Sequence, residues 1–254
     1  MRIKTIITQN YSMQWLRLSV GLVLVFALFH WTASVLGSNR GQFGILIGFL
    51  VVIGTIAAKI FLFNRSLKDS VKDVGLTRPN ALGILIAFVI SVLMLLTIFV
   101  FAIVTDTSFS FYPDWYLLIP GLFFQAGIAE ETLFRGYLFG YIRKKFSFWK
   151  AACIAAVPFI LVHLIMFYSL PFAIAFASIL LSVVLSFPLA RLFEPGGNSI
   201  WAPAILHFVV QGTVKVLVAS GESAQTFPLF WITVCAVIPL LVFLLPEKKI
   251  ISPG

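Results

Sequence analysis

Ala81–Val104 reads ALGILIAFVISVLMLLTIFVFAIV, 24 residues without a charge, a proline or an asparagine. About 20 apolar residues wound as a helix cross the ~30 Å hydrocarbon core of a bilayer, so this stretch is long enough to span one. It lacks the short alternation of lipid-facing and lumen-facing positions that marks a barrel strand, and a lone strand would leave its backbone groups unpaired in lipid. The stretch reads as a transmembrane helix. The same reading extends outward along the chain, giving eight expected spans at roughly 15–36, 43–63, 81–104, 115–142, 148–168, 171–193, 199–219 and 227–245.

Composition agrees. Of 254 residues 61% are apolar and 11% charged, against about 45–50% and about 25% in ordinary soluble domains. With 27 Phe and a mean hydropathy of +1.06, a water-soluble globule and a disordered low-complexity chain are both excluded. Cys153 and Cys235 lie inside apolar runs and suggest neither a disulfide framework nor a thiolate metal site. The first span follows a short basic segment, but its apolar stretch exceeds a signal-peptide core, so it is expected to stay as an anchor.

The net charge of +9 has a membrane explanation rather than a nucleic-acid one, because basic loops stay on the cytoplasmic side. Arg2, Lys4, Arg65, Lys68, Lys72, Arg78, Arg143, Lys144, Lys145, Lys150, Arg191, Lys248 and Lys249 fall on one side of the expected membrane, and Arg40 alone on the other. Such asymmetry predicts an even number of spans with both termini cytoplasmic. Arg17, Lys59, Arg135 and Lys215 fall within spans; Arg17 and Lys59 are expected to snorkel to the inner surface and Lys215 to the outer one. The fold class is therefore all-α, a polytopic transmembrane bundle of about eight spans forming a single domain over 1–254, with the lipid bilayer as its first partner and no nucleic acid.

The chemistry concentrates in the fourth span. Glu130 and Glu131 sit deep within it, where a carboxylate costs about 2.5–3.5 kcal/mol even on the lenient insertion scale, so the pair signals function. Residues 131 and 135 share a helical face, so Glu131 can pair with Arg135, leaving Glu130 as the carboxylate without a same-helix partner. Phe123, Phe124, Ile128 and Phe134 keep water from Glu130, the setting in which a carboxylate serves as a general base. His163 and His207 lie deep in the fifth and seventh spans, shortly after Pro158 and Pro203, whose kinks are expected to open room around the imidazoles. A carboxylate with two imidazoles can activate a water or hold Zn²⁺ with an open position. Gln211, one turn after His207, could donate an amide hydrogen to a developing oxyanion. His30, beside Trp31, reads as an interfacial residue, and Asn198 with Ser199 as a loop and cap. The same set of charges could also serve a proton- or ion-coupled transporter.

Glu130-Glu131-Thr-Leu-Phe-Arg135, Phe159-Ile-Leu-Val-His163 and His207-Phe-Val-Val-Gln211 resemble the EExxxR, FxxxH and HxxxN motifs of the CPBP intramembrane proteases. That family includes type II CAAX prenyl endopeptidases, bacteriocin-processing and bacteriocin-immunity proteins, and lysostaphin-resistance-protein-A-like proteins. The resemblance covers a core of 115–211, and Asp73-Val-Gly-Leu-Thr-Arg-Pro79 is similar to a segment that often precedes it. It implies an endopeptidase acting on a membrane-anchored peptide or protein, with Glu130 and His163 activating water and His207 and position 211 stabilising the oxyanion. Position 211 is Gln where the pattern has Asn. The resemblance requires no cofactor; zinc, if present, would be held by Glu130, His163 and His207. A non-proteolytic immunity or scaffold protein on the same fold is the alternative.

Overall fold

The computed structural model describes residues 2–36, 41, 43–169 and 171–245, with side chains from residue 12 on, 169 excepted. Arg40, Glu247, Lys248 and Lys249 lie outside the described residues. The helices are α1 (Arg2–Leu36), α2 (Gly44–Phe63), α3 (Leu67–Asp73), α4 (Ala81–Thr105), α5 (Trp115–Leu122), α6 (Gly140–Arg143), α7 (Phe148–His163), α8 (Met166–Ser169), α9 (Phe172–Phe193), α10 (Trp201–Val216) and α11 (Phe227–Val237), the last running on as a 3₁₀ helix over Ile238–Leu244. Between α5 and α6 the chain winds as two π-helical stretches, π1 (Phe123–Ala129) and π2 (Thr132–Phe139), joined at Glu130 and Glu131.

Among the described residues seven helical segments are long and apolar enough to cross a membrane. The expected seventh span is the shorter one. α10 stops at Val216, and Leu217–Ser220 turns extended as β2, pairing antiparallel with β1 (Ser108–Phe111) in the register Ser108 to Ser220 through Phe111 to Leu217. This two-stranded ribbon closes one end of an otherwise helical bundle, because Asp106 ends α4 in the left-handed conformation (φ 49°) and turns the chain back toward α10. The chain is an integral, multi-pass membrane protein.

Two apolar cores flank the chemistry. One gathers Leu18, Val25, Ile47, Val51, Leu133 and Tyr137 from α1, α2 and π2, the other Met94, Leu189, Leu206, Trp231 and Cys235 from α4, α9, α10 and α11. Outward-facing side chains such as Phe61, Ile103 and Val104 remain exposed, as expected of a surface solvated by lipid. α10 packs against both α4 and π1. It can do so because position 127 carries no side chain: a Cβ on Gly127 would stand 2.9 Å from the Ala204 carbonyl oxygen.

Two local expectations are corrected. Lys59 does not reach the inner surface: it is 2% exposed, and its ammonium lies 4.8, 4.5 and 5.1 Å from the ring centres of Phe63, Tyr137 and Tyr141. Three aromatic faces replace water around that charge, which makes a buried position tolerable. Pro203 does not kink its helix. It is the third residue of α10, in the first turn, where no helical bond is lost.

Candidate active site

The two π-helical stretches flank Glu130 and Glu131 on either side. A π-turn inserts a residue relative to α-geometry and is found mostly at functional sites. Despite the altered winding, Arg135 Nη1 donates to Glu131 Oε1 at 2.8 Å, with Glu131 fully buried and Arg135 nearly so. The same Oε1 accepts from His207 Nδ1 at 2.6 Å, tying π2 to α10 through one carboxylate oxygen. Its other oxygen, Oε2, is buried without a hydrogen-bond partner among the described residues.

The bond to Glu131 fixes the proton of His207 on Nδ1, so Nε2 is an acceptor. Gln211 agrees: Lys215 donates to its Oε1 at 3.3 Å, which turns its amide nitrogen toward His207 Nε2 at 3.0 Å. Glu130 Oε2 stands 3.8 Å from the same Nε2, beyond hydrogen-bond range.

Glu130 opens into a cavity of about 240 Å³ that His163, Phe134, Gln125 and His30 also line. His163 closes α7, and its Nδ1 donates to the Phe159 carbonyl at 2.7 Å, leaving Nε2 as the nitrogen able to take a proton. Phe159 is central to the packing. Its ring lies 4.4 Å from the Arg135 guanidinium, 4.7 Å from the His163 ring and 6.2 Å from the His207 ring. An aromatic residue here covers the buried cation and separates the two imidazoles.

The structure thus brings Glu130 and His163 to one cavity and joins Glu131, Arg135, His207 and Gln211 in a connected polar network behind it. Sequence reading missed two cavity residues. His30, expected at the interface, stacks on Phe26 at 6.2 Å and also lines the cavity beside His163. Gln125 went unremarked although it is the one amide side chain in Trp115–Ile142, a signal that a polar group was being held in the membrane for a reason.

Residues 112–213 match the family model described as Type II CAAX prenyl endopeptidase Rce1-like. Over these residues, two fifths of the chain, the sequence is similar to that family. No curated protein matches the chain.

Zinc fits this site poorly. Among the described residues no group of three or more His, Cys, Asp or Glu side chains is arranged to hold a metal ion. Of the three candidates, His207 has both ring nitrogens engaged, Nδ1 by Glu131 and Nε2 by Gln211. A zinc ligand must offer a free nitrogen lone pair.

Proposed function

We propose that the chain is an endopeptidase that hydrolyses a peptide bond of a membrane-anchored, CAAX-like substrate, using a water activated by Glu130 with His163. The observation that carries this reading is the shared cavity: a carboxylate with no hydrogen-bond partner among the described residues and an imidazole whose Nε2 is an acceptor line the same walls. Water lodged between them loses its proton to one of these bases as its oxygen bonds to the scissile carbonyl carbon. The carbonyl π-pair moves onto oxygen, and collapse of the tetrahedral state breaks the C–N bond as the stored proton passes to the leaving amine.

His207 stands behind the cavity wall, its Nε2 3.8 Å from Glu130 Oε2. Protonation at Nε2 requires the Gln211 amide nitrogen to turn away; it makes an imidazolium whose charge is balanced by Glu131 at Nδ1 and whose new N–H can serve the oxyanion. In this division of labour Glu131 and Arg135 are positioning residues: they hold His207 in one tautomer and orientation. Gln211 tunes the same nitrogen from behind.

One observation favours a second reading, a non-proteolytic binding member of the family. The Gln211 amide is directed at His207 and Lys215 rather than into the cavity, so the donor expected at this position is engaged elsewhere. Cleavage of a farnesylated CAAX-type peptide by purified protein, lost in Glu130→Gln, supports the peptidase; tight peptide binding without cleavage supports the alternative.

A further inference from the structure

We propose that the face rich in basic loops carries a binding site for the phosphate-bearing headgroup of an anionic phospholipid, separate from the peptidase cavity. The site is a cavity of about 550 Å³ between α3, the α6–α7 loop and the loop before α10. Lys72, Arg143, Lys144 and Lys145 line it against a single carboxylate, Asp73. Keeping loops basic explains positive charge on this face but does not require a concave pocket.

Two side chains in the cavity are left over from the fold's own bonding. The Lys72 ammonium is exposed and makes no ion pair among the described residues, whereas Lys144 bonds Asp73 at 2.7 Å and Arg143 bonds Glu194. Thr77 is the sharper case. Its carbonyl accepts from Ser199 Oγ at 3.3 Å and from Trp201 Nε1 at 3.1 Å, which fixes the residue, yet its hydroxyl oxygen is buried without a partner among the described residues. A buried hydroxyl left unpaired is unfavourable unless something outside the chain completes it. Gly140 and Gly197 add no side chains to the walls, leaving room for a group larger than a lone ion.

A phosphodiester suits these groups: it is anionic, offers several acceptor oxygens to ammonium, guanidinium and hydroxyl donors, and basic pockets on the inner side of membrane proteins bind such headgroups. The bilayer is the source favoured by the surroundings, because Leu67 at the start of α3 and Trp149 at the start of α7, the elements that bound the cavity, are exposed apolar groups suited to the acyl boundary.

The test titrates full-length protein in phosphatidylcholine-like micelles with phosphatidylglycerol, with phosphatidylcholine, and with inorganic phosphate, following the midpoint of thermal unfolding. Phosphatidylglycerol is expected to raise the midpoint saturably and the other two not. Thr77→Val and Lys72→Gln should each require about tenfold more phosphatidylglycerol, the scale of one charge-assisted bond. Thr77→Val removes no bond of the fold, so without lipid it should unfold at or above the wild-type midpoint. Lys68→Gln, the same charge change on α3 outside the cavity, should titrate as wild type. The proposal is overturned if phosphatidylcholine acts equally, if Thr77→Val titrates as wild type, if Lys68→Gln weakens binding as much as Lys72→Gln, or if inorganic phosphate saturates the same effect.

Discussion

Replacing Glu131 by Gln should damage the fold before it damages the chemistry. Glu131 Oε1 accepts from Arg135 at 2.8 Å and from His207 at 2.6 Å, and all three side chains are buried. Removing the carboxylate charge leaves Arg135 with the Phe159 ring, 4.4 Å away, and the charge of Glu130 as counterparts. Breaking a buried pair from one side typically costs about 3–5 kcal/mol. At roughly 2–4 °C per kcal/mol for a chain of this size, the unfolding midpoint should fall by about 10 °C or more. Glu130→Gln should move it little, since Glu130 makes no hydrogen bond among the described residues and its contact to His207 is 3.8 Å long. The assay is thermal unfolding of detergent-purified variants, with Arg135→Met and the Glu131→Gln/Arg135→Met double variant completing a cycle. The double variant should lose clearly less than the two single losses added, because it leaves no unpaired buried charge. An unfolding midpoint of Glu131→Gln equal to wild type, or simple additivity in the cycle, would refute the reasoning.

Gln211→Ala should lower turnover more than it raises the Michaelis constant, and Gln211→Asn should retain or improve turnover; steady-state kinetics on one peptide separates these, and an unchanged turnover number in Gln211→Ala would make Gln211 a packing residue. Gly127→Ala should both destabilise the protein and reduce turnover, because its Cβ would meet the Ala204 carbonyl at 2.9 Å and push α10, with His207, off π1. Burial acts to raise the pKa of Asp73, but its bond to Lys144 and the charges of Lys144, Lys59 and Arg65 outweigh it and hold the carboxyl below its ordinary 3.8. A lowered carboxyl pKa contributes stability that is present above about pH 4 and lost as the pH falls through the folded value. Unfolding midpoints recorded from pH 6 to pH 3 should therefore drop less steeply in Asp73→Asn than in wild type.

Which parts of this were legible in the sequence follows from what lipid demands. Ala81–Val104 could be nothing but a spanning helix, since hydrocarbon leaves the backbone no alternative, and the helical class was readable for the same reason. The end of α10 was not, because Leu217–Ser220 is as apolar as a span and only its pairing with Ser108–Phe111 makes it a strand. The contact between Glu131 and Arg135 follows from four-residue spacing, whereas the π-winding around it leaves no mark in composition. Lys59 was misread because snorkelling is a rule about a side chain on a lipid-facing surface; Phe63, on its own helix, and Tyr137 and Tyr141, far along the chain, enclose it instead. That His30 also lines the Glu130 cavity was not legible, since nothing near it in sequence shows which way that face of α1 turns.

The central claim is that Glu130 and His163 activate the water that attacks the peptide. It is tested most directly by single-turnover cleavage of a farnesylated CAAX-type peptide and its unprenylated counterpart by wild type, Glu130→Gln and His163→Ala, each with and without a metal chelator. Wild type should cleave with or without chelator, and each variant should be slower by about 10²–10⁴, the range for loss of a general base, while retaining the wild-type unfolding midpoint. Wild-type rates in Glu130→Gln, or cleavage abolished by chelator and restored by zinc, would contradict it.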